Sequence, residues 1–317
     1  MTVLLSPWRS LFEGIEHAAG MADVAFSPDP APRDQRVQIV RIDLESPRLR
    51  FFTTPTDPAS LYQTKNSTIL DFLAAYPEVQ LAINANLAWA DNEGNASLFG
   101  LAKSEGNLVS DPTVPAPQPP PGSDQPNVPD ASYTGTVALT ITRDNRASFH
   151  ILNAQSPAWS PRDSHEVETS PWRSIYTAVA GSPNVAPGWP PMPFVGGLNP
   201  GESMVLRNGV NNGVPTGSQF VAARTAIGLD AAARTLFLLT IDGIEGANPQ
   251  YGATFYDTGE WLKLAGASDG INLDGGGSTA MAVKVGGSNL LMNVPHGSEG
   301  PPYVQRPNAQ FFGIIPG

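Results

Sequence analysis

Short runs of strand pattern, cut apart by glycine and proline, constrain this chain more than any other feature. The 317 residues include 31 glycines and 32 prolines. That is about a fifth of the chain, above the usual share of about 12% and below the range of about 25–30% that marks low-complexity sequences. With 41% hydrophobic residues the chain can bury a large core, so the reading is a loop-rich folded protein. Length alone allows one or two domains; the strand signals on both sides of the Pro-rich stretches favour one main domain over residues 1–317.

The strand signals alternate or run apolar. Val40 to Glu45 alternates apolar and charged side chains with period two, and Arg48 to Thr53 reads as its hairpin partner. Leu81 to Asn84, Thr235 to Ile241, Gly270 to Leu273 and Phe311 to Ile315 are apolar enough to be buried strands. Val137 to Thr142 and Ala147 to Leu152 make a hairpin, and Ala280 to Val285 follows a glycine turn. Two helices are expected. Ser67 to Tyr76 carries an apolar stripe, a Ser67 cap and a Pro77 stop, and Asp257 to Ala265 is a second, weakened by Gly259. Strands outnumber helices, which gives an α+β fold with mixed or antiparallel sheets and few helices. Residues 112–130 and 183–201 are Pro-rich and cannot join a central sheet; they read as long surface loops, the first as a lid. A pentapeptide SPWRS occurs twice, too short for a duplicated domain.

Charge and rare residues remove several functions. The net charge is −11, which opposes nucleic-acid binding and docking on an anionic membrane face. No apolar run is long enough for a membrane-spanning helix, and the first residues lack a secretory-signal pattern. With no cysteine, disulfides and thiolate chemistry are absent; with four histidines, a multi-histidine metal site is nearly excluded. No metal and no cofactor are expected.

Asn272 to Thr279 (NLDGGGST) carries the strongest chemical signal. Glycines let the backbone approach a ligand and turn its N–H groups into an anion-binding nest. Asp274 at a strand end before Gly275, Gly276 and Gly277 is a natural catalytic position; the alternative is a tight turn that Asp274 merely caps. Arg224, beside Thr225, and Arg306 stand at strand entrances, where guanidinium groups suit phosphate or carboxylate. Taken singly, each is better explained by an ordinary surface ion pair. Asp242 offers a second carboxylate, or a turn aspartate binding its own backbone. Asn84 and Asn86 are hydroxyl holders or Asx-turn residues, and His296 is a loop histidine with a possible proton-transfer role.

These segments together resemble the phosphodiester glycosidase family. The stretches are LAINANLAWADNEGNASLFGLAKSEGNLVSDP (Leu81–Pro112), AVAGSPNV, MVLRNG, ARTAIGLDAAARTLFLLTIDG (Ala223–Gly243), GASDGINLDGGGSTAMAV (Gly266–Val283) and QRPNAQFFGI (Gln305–Ile314). NLDGGGST with RTAIGLD upstream is the specific combination. Departures are Ala85-Asn86 in place of a glycine pair, Asp257 nearest to a helix glutamate, and Pro295-His296-Gly297-Ser298 in place of Pro-Ser-Asp. The resemblance implies a hydrolase that cleaves the anomeric C1–O bond of a sugar-1-phosphodiester, with a carbohydrate partner and an extracytoplasmic setting. On this expectation Arg224 and Arg306 bind the phosphodiester, helped by amides of Gly275–Ser278. Asp274 is the nucleophile or base and Asp242 its partner carboxylate. Asn84, Asn86, Thr225, Ser278, Thr279 and Asn308 line the substrate site. The rivals are a glycosidase for ordinary glycosidic bonds, a metal-dependent phosphodiesterase that cuts P–O, and a silent carbohydrate-binding module.

Overall fold

Period-two alternation along the strands sorts side chains onto two faces, and that sorting fixes the layers. The computed structural model describes residues 2–26, 32–111, 136–153, 156–160, 174–181, 204–213, 221–244, 250–297 and 301–317. The two expected Pro-rich loops lie outside these residues. In the strand Pro32–Asp43, Val40 and Ile42 face one core cluster while Val37 and Ile39 face another. In Thr235–Ile241, Leu236 and Leu238 take the first side, and Phe237, Leu239 and Ile241 the second.

Among the described residues the strands form four sheets, and their pairings are antiparallel. The largest sheet runs, in spatial order, through Val3–Leu5, Ile15–Val24, Pro32–Asp43, Thr235–Ile241, Arg224–Leu229, Asp269–Asn272, Met204–Arg207 and Val210–Asn211, with Arg9–Phe12 beside the second strand. A five-stranded sheet orders Ser288–Leu291, Met281–Val285, Leu81–Asn84, Phe311–Ile315 and Arg50–Thr53. A six-stranded sheet holds the hairpin Thr136–Thr142 and Ala147–Asn153, and a three-stranded sheet holds Ala88–Ala90 and Asn95–Leu98. The inner faces of the three larger sheets meet in one cluster that includes Ile42, Leu238, Ile227, Ile83, Phe312 and Leu139. The fold is therefore strand-dominated and antiparallel, with two α-helices among the described residues, which fits a mainly-β class as well as the expected α+β one.

Each helix covers the outer face of one sheet. Helix Ile69–Ala75 buries Ile69, Phe72 and Leu73 against the five-stranded sheet; its cap is Thr68, not Ser67. Helix Phe255–Ala265 lies on the largest sheet. Its Thr254 and Asp257 form a reciprocal capping box, and Trp261 is fully buried with its indole N–H donating to Gln35 Oε1 at 2.7 Å. Asp257, expected nearest to a family glutamate, is committed to the scaffold. It is fully buried, 2.8 Å from Arg33, and accepts from the N–H groups of Phe26 and Thr254.

One sequence expectation fails. Arg50–Thr53 is not the hairpin partner of the strand before it. It pairs with Phe311–Ile315 in a different sheet, while Pro32–Asp43 pairs with Ile15–Val24 and Thr235–Ile241. The intervening turn Glu45–Arg48 passes the chain between layers instead of folding it back.

Gly259 also has a different meaning. It does not loosen its helix; it lets the helix approach the sheet. A methyl group there would stand 2.7 Å from Val205 O and 2.6 Å from Asn211 Oδ1. Ala is the better helix former, so propensity and packing oppose each other at this position. We expect Gly259→Ala to lower stability by about 1–3 kcal/mol, read as a lower denaturation midpoint; an increase would show that propensity wins.

Candidate active site

The triglycine corner stands where the five-stranded and the largest sheet meet, and the Asn84 side chain holds it there. Asn84 ends its strand fully paired: Oδ1 accepts from Thr225 Oγ1 at 2.8 Å and from Ala280 N at 3.0 Å, while Nδ2 donates to Asp274 O at 2.7 Å. Thr225 Oγ1 also lies 3.2 Å from Thr279 Oγ1. Asp274 N donates to Ala85 O at 3.0 Å. The backbone on both sides of the corner is thus pinned by buried polar groups, which leaves the half-buried Asp274 side chain positioned by a rigid frame.

A short 3₁₀ turn, Gly276–Ser278, follows Asp274 in place of a direct run into the next strand. Gly276 has φ +57°, a left-handed conformation that glycine adopts without steric cost. The expected nest is only partly available. Gly276 N donates to Ala223 O at 2.8 Å and Ser278 N to Gly275 O at 3.1 Å. Among the described residues, the N–H groups of Gly275 and Gly277 carry no such backbone bond.

Two guanidinium groups flank the corner. Arg224 begins its strand, pairing with Ile241. Its Nε donates to Ala253 O at 3.0 Å and its Cζ sits 4.1 Å from the Phe255 ring centroid. A methyl group on Gly275 would stand 3.0 Å from Ala223 O, so the glycine lets the turn close on that carbonyl, and it would stand 3.8 Å from Arg224 Nη1, which lies in contact range of the turn. Arg306 reaches the end of the same turn, where its Nη2 donates to Ser278 Oγ at 2.7 Å. Asn308 Nδ2 donates to Ser278 O at 3.0 Å.

Asp242 leaves the strand on one side of Arg224 as Asp274 leaves the strand on the other. Neighbouring strands are about 4.8 Å apart, which puts the two aspartate backbones about 10 Å apart. Asp242 is 2% exposed. Its Oδ1 accepts from Val294 N at 3.0 Å and from Asn293 Nδ2 at 3.2 Å, and the same Asn293 group lies 3.3 Å from Thr279 O. Asn293 therefore ties the carboxyl to the segment after the corner. Burial pushes the Asp242 pKa up to about 6, with the two hydrogen bonds and the charges of His296 and Arg36 opposing the rise. Tyr251, edge-on to His296 at 5.7 Å, is pushed up to about 12 by burial and by Asp242.

Asn86 does not belong with these groups. It is buried, both amide protons donate to Phe99 O and Leu101 O, and Oδ1 accepts from Ala180 N. Its expected role in holding substrate hydroxyls gives way to bridging two sheets. Asn84 and Thr225 likewise act through the frame. Sequence reasoning missed Asn293 and Phe255. Neither lies in a motif, and only their contacts with Asp242 and Arg224 reveal them. Among the described residues no group of three or more His, Asp or Glu converges as a metal-ligand set.

Comparison with known proteins now bears on this geometry. Residues 130–315 match the family model for phosphodiester glycosidases. The chain belongs to the phosphodiester glycosidase family. The matched span contains Asp242, Asp274, Arg224 and Arg306, whereas Asn84 and Asn86 precede it. The catalytic domain of zebrafish N-acetylglucosamine-1-phosphodiester alpha-N-acetylglucosaminidase, auto-inhibited by its pro-peptide, is similar in fold. It superposes with TM-score 0.61 at 16% identity over 99% of this chain and 88% of that one. A Burkholderia pseudomallei protein named as a candidate for export gives 0.57 at 14% identity over 99% and 96%. A hypothetical protein from Synechocystis gives 0.55 at 14% over 98% and 64%. At these identities the likeness concerns the fold alone. No curated protein matches the sequence.

Two predictions follow from the frame and the buried acid. Asn84→Ala leaves Ala280 N without its acceptor and Asp274 O without its donor, and leaves the Thr225 hydroxyl only Thr279 Oγ1; we expect a loss of about 2–4 kcal/mol in chemical denaturation, and an unchanged midpoint would refute the pinning role. The folded-state pKa of Asp242 lies above its unfolded value, so the folded state binds the proton more tightly. The stabilisation is full at low pH and is lost as pH rises through about 6. Asp242→Asn keeps an acceptor for Asn293 and Val294. It should flatten the pH dependence of Tm over this window and raise Tm at neutral pH.

Proposed function

We propose that the protein hydrolyses the anomeric C1–O bond of a sugar-1-phosphodiester, releasing the free sugar and a phosphomonoester. The observation that carries this reading is the pair of guanidinium groups at the turn that follows Asp274, Arg224 beside Gly275 and Arg306 on Ser278 Oγ.

The leaving group sets the requirement. A phosphomonoester has a second pKa near about 6, so it departs with little help from a proton donor. The barrier lies in charge: negative on the departing phosphate, positive on the oxocarbenium-like sugar. Arg224 and Arg306 neutralise the first, joined by the N–H groups of Gly275 and Gly277. Asp274 stabilises the second and acts as nucleophile or as the base that takes a proton from water. The C1–O bond breaks, water oxygen ends on C1, and its protons pass to the new sugar hydroxyl and, through the base, to solvent. Asp242 is the partner carboxyl. Thr225, Thr279, Asn84 and Asn293 hold the frame, and Ser278 and Asn308 line the sugar. An extracytoplasmic setting accompanies this reading, supported by the fold neighbour named as a candidate for export.

A second reading has its own support. Asp242 keeps its proton up to about pH 6, as a general acid for an ordinary glycosidic bond must. A series of sugars with leaving groups of rising basicity separates the two. Phosphodiester specialisation predicts a steep fall in kcat with leaving-group pKa; a flat series favours the glycosidase.

Hydrolysis in ¹⁸O-labelled water should put the label in the sugar, and label in the phosphate would mean P–O cleavage. Asp274→Asn should reduce turnover by several orders of magnitude with Tm nearly unchanged. Full activity in that variant removes Asp274 from the chemistry.

A further inference from the structure

A cavity of about 730 Å³ opens at the far end of the strands from Asp274. Its wall includes Leu44, Arg48, Arg50, Arg143, Asn145 and Gly317. Leu44 N donates to Arg234 O, beside the start of Thr235–Ile241, whereas Asp242 follows the end of that strand. A seven-residue strand spans roughly 20 Å, so this cavity is separate from the candidate active site. Its volume is in the ordinary range for small-molecule sites, about 300–1,000 Å³.

Its charge is unbalanced in a chain that is otherwise acidic. The two acidic side chains in the wall are engaged elsewhere, Glu45 with Arg234 at 3.5 Å and Asp144 with Arg146 at 2.9 Å, and the one further negative group is the terminal carboxylate of Gly317. Among the described residues no carboxylate forms an ion pair with Arg48, Arg50 or Arg143. At physiological salt, charges beyond about 8 Å are largely screened, so the local cluster outweighs the remote acidic excess.

The presentation of these arginines is built, not incidental. Arg143 lies with its Cζ 4.7 Å from the Tyr176 ring centroid. Asn145 Nδ2 donates to Leu49 O at 2.8 Å, which bolts the 142–146 turn to the 46–49 turn. Arg48 and Asn145 both adopt left-handed backbone, with φ +60° and +62°. That conformation suits Asn in a tight turn and is less favourable for Arg, so the two turns have defined shapes. Two cross-braced turns carry Arg48 and Arg143 to the wall of one hollow, with Arg50 on the adjoining strand.

We propose that this cavity is a second, non-catalytic site for a multiply charged phosphate, gripped by Arg48, Arg50 and Arg143. Guanidinium forks match phosphate oxygens in pairs. The ligand is either a small phosphate ester or the phosphates of a polymer.

The test uses the Arg224→Gln protein, in which the active-site anion position is weakened, titrated calorimetrically with inorganic pyrophosphate. Saturable binding is expected. Adding Arg48→Gln and Arg143→Gln should weaken it about tenfold or more, the effect of losing two charge-assisted hydrogen bonds. Arg50→Gln alone provides the readout should the double substitution disturb folding, which circular dichroism would report. Long-chain polyphosphate binding far tighter than pyrophosphate identifies a polymer as the source; equal affinity identifies a small ester. Absence of pyrophosphate binding, or binding that ignores all three substitutions, overturns the proposal. In the otherwise native chain, Arg48→Gln/Arg143→Gln should leave turnover of a small sugar-1-phosphodiester unchanged, as expected of a site remote from Asp274.

Discussion

The amide of Asn84 is the cross-link on which the candidate site depends. One side chain joins the last residue of a five-stranded-sheet strand to Thr225 of the largest sheet and to both flanks of the triglycine corner. Each of these partners is buried or half-buried, and an unpaired amide or hydroxyl there costs about 1–3 kcal/mol. The two sheets therefore cannot slide past each other without breaking several hydrogen bonds at once. That rigidity is what a site needs when its work is to stabilise charge in a fixed geometry.

The frame also explains how groups far apart in the chain act together. Arg224 and Asp242 begin and end neighbouring strands, and Asp274 leaves the strand on the other side of Arg224. Antiparallel pairing brings these three ends to one edge of the sheet. The five-stranded sheet supplies the opposite wall, with Arg306 and Asn308 reaching Ser278 just before their strand begins. Chemistry thus collects at a seam between sheets, where backbone leaves regular pairing and its N–H groups become available.

Polar burial divides into two kinds. The Asp257 carboxylate with Arg33 and two backbone N–H groups, and the Asn86 amide with three backbone groups, have partners at both ends and serve the scaffold. Asp242 is buried with hydrogen bonds at one oxygen from Val294 and Asn293, and its raised pKa records the cost of ionising it there. Both kinds look alike in a sequence, since each is an acid or amide near an apolar run. What separates them is the number of donors that tertiary packing brings to the side chain.

Local pattern was enough to find most strands, both helices and the Asp274 corner, because alternation, capping residues and glycine runs act over a few neighbouring residues. NLDGGGST with RTAIGLD was enough to point to the family, since both the turn and the arginine before a buried strand are short-range features. Which strands pair was not written there. Arg50–Thr53 found Phe311–Ile315, some 260 residues away, because the five-stranded sheet needed an edge that buries Phe51 and Phe52 on its two faces. Gly259 read as a weakness and stands at a close contact; Asn86 read as a hydroxyl holder or an Asx-turn residue and is bonded to three remote backbone groups; Asn293 and Phe255 gave no signal at all. Those roles depend on distances between remote segments, and only the packed sheets set them.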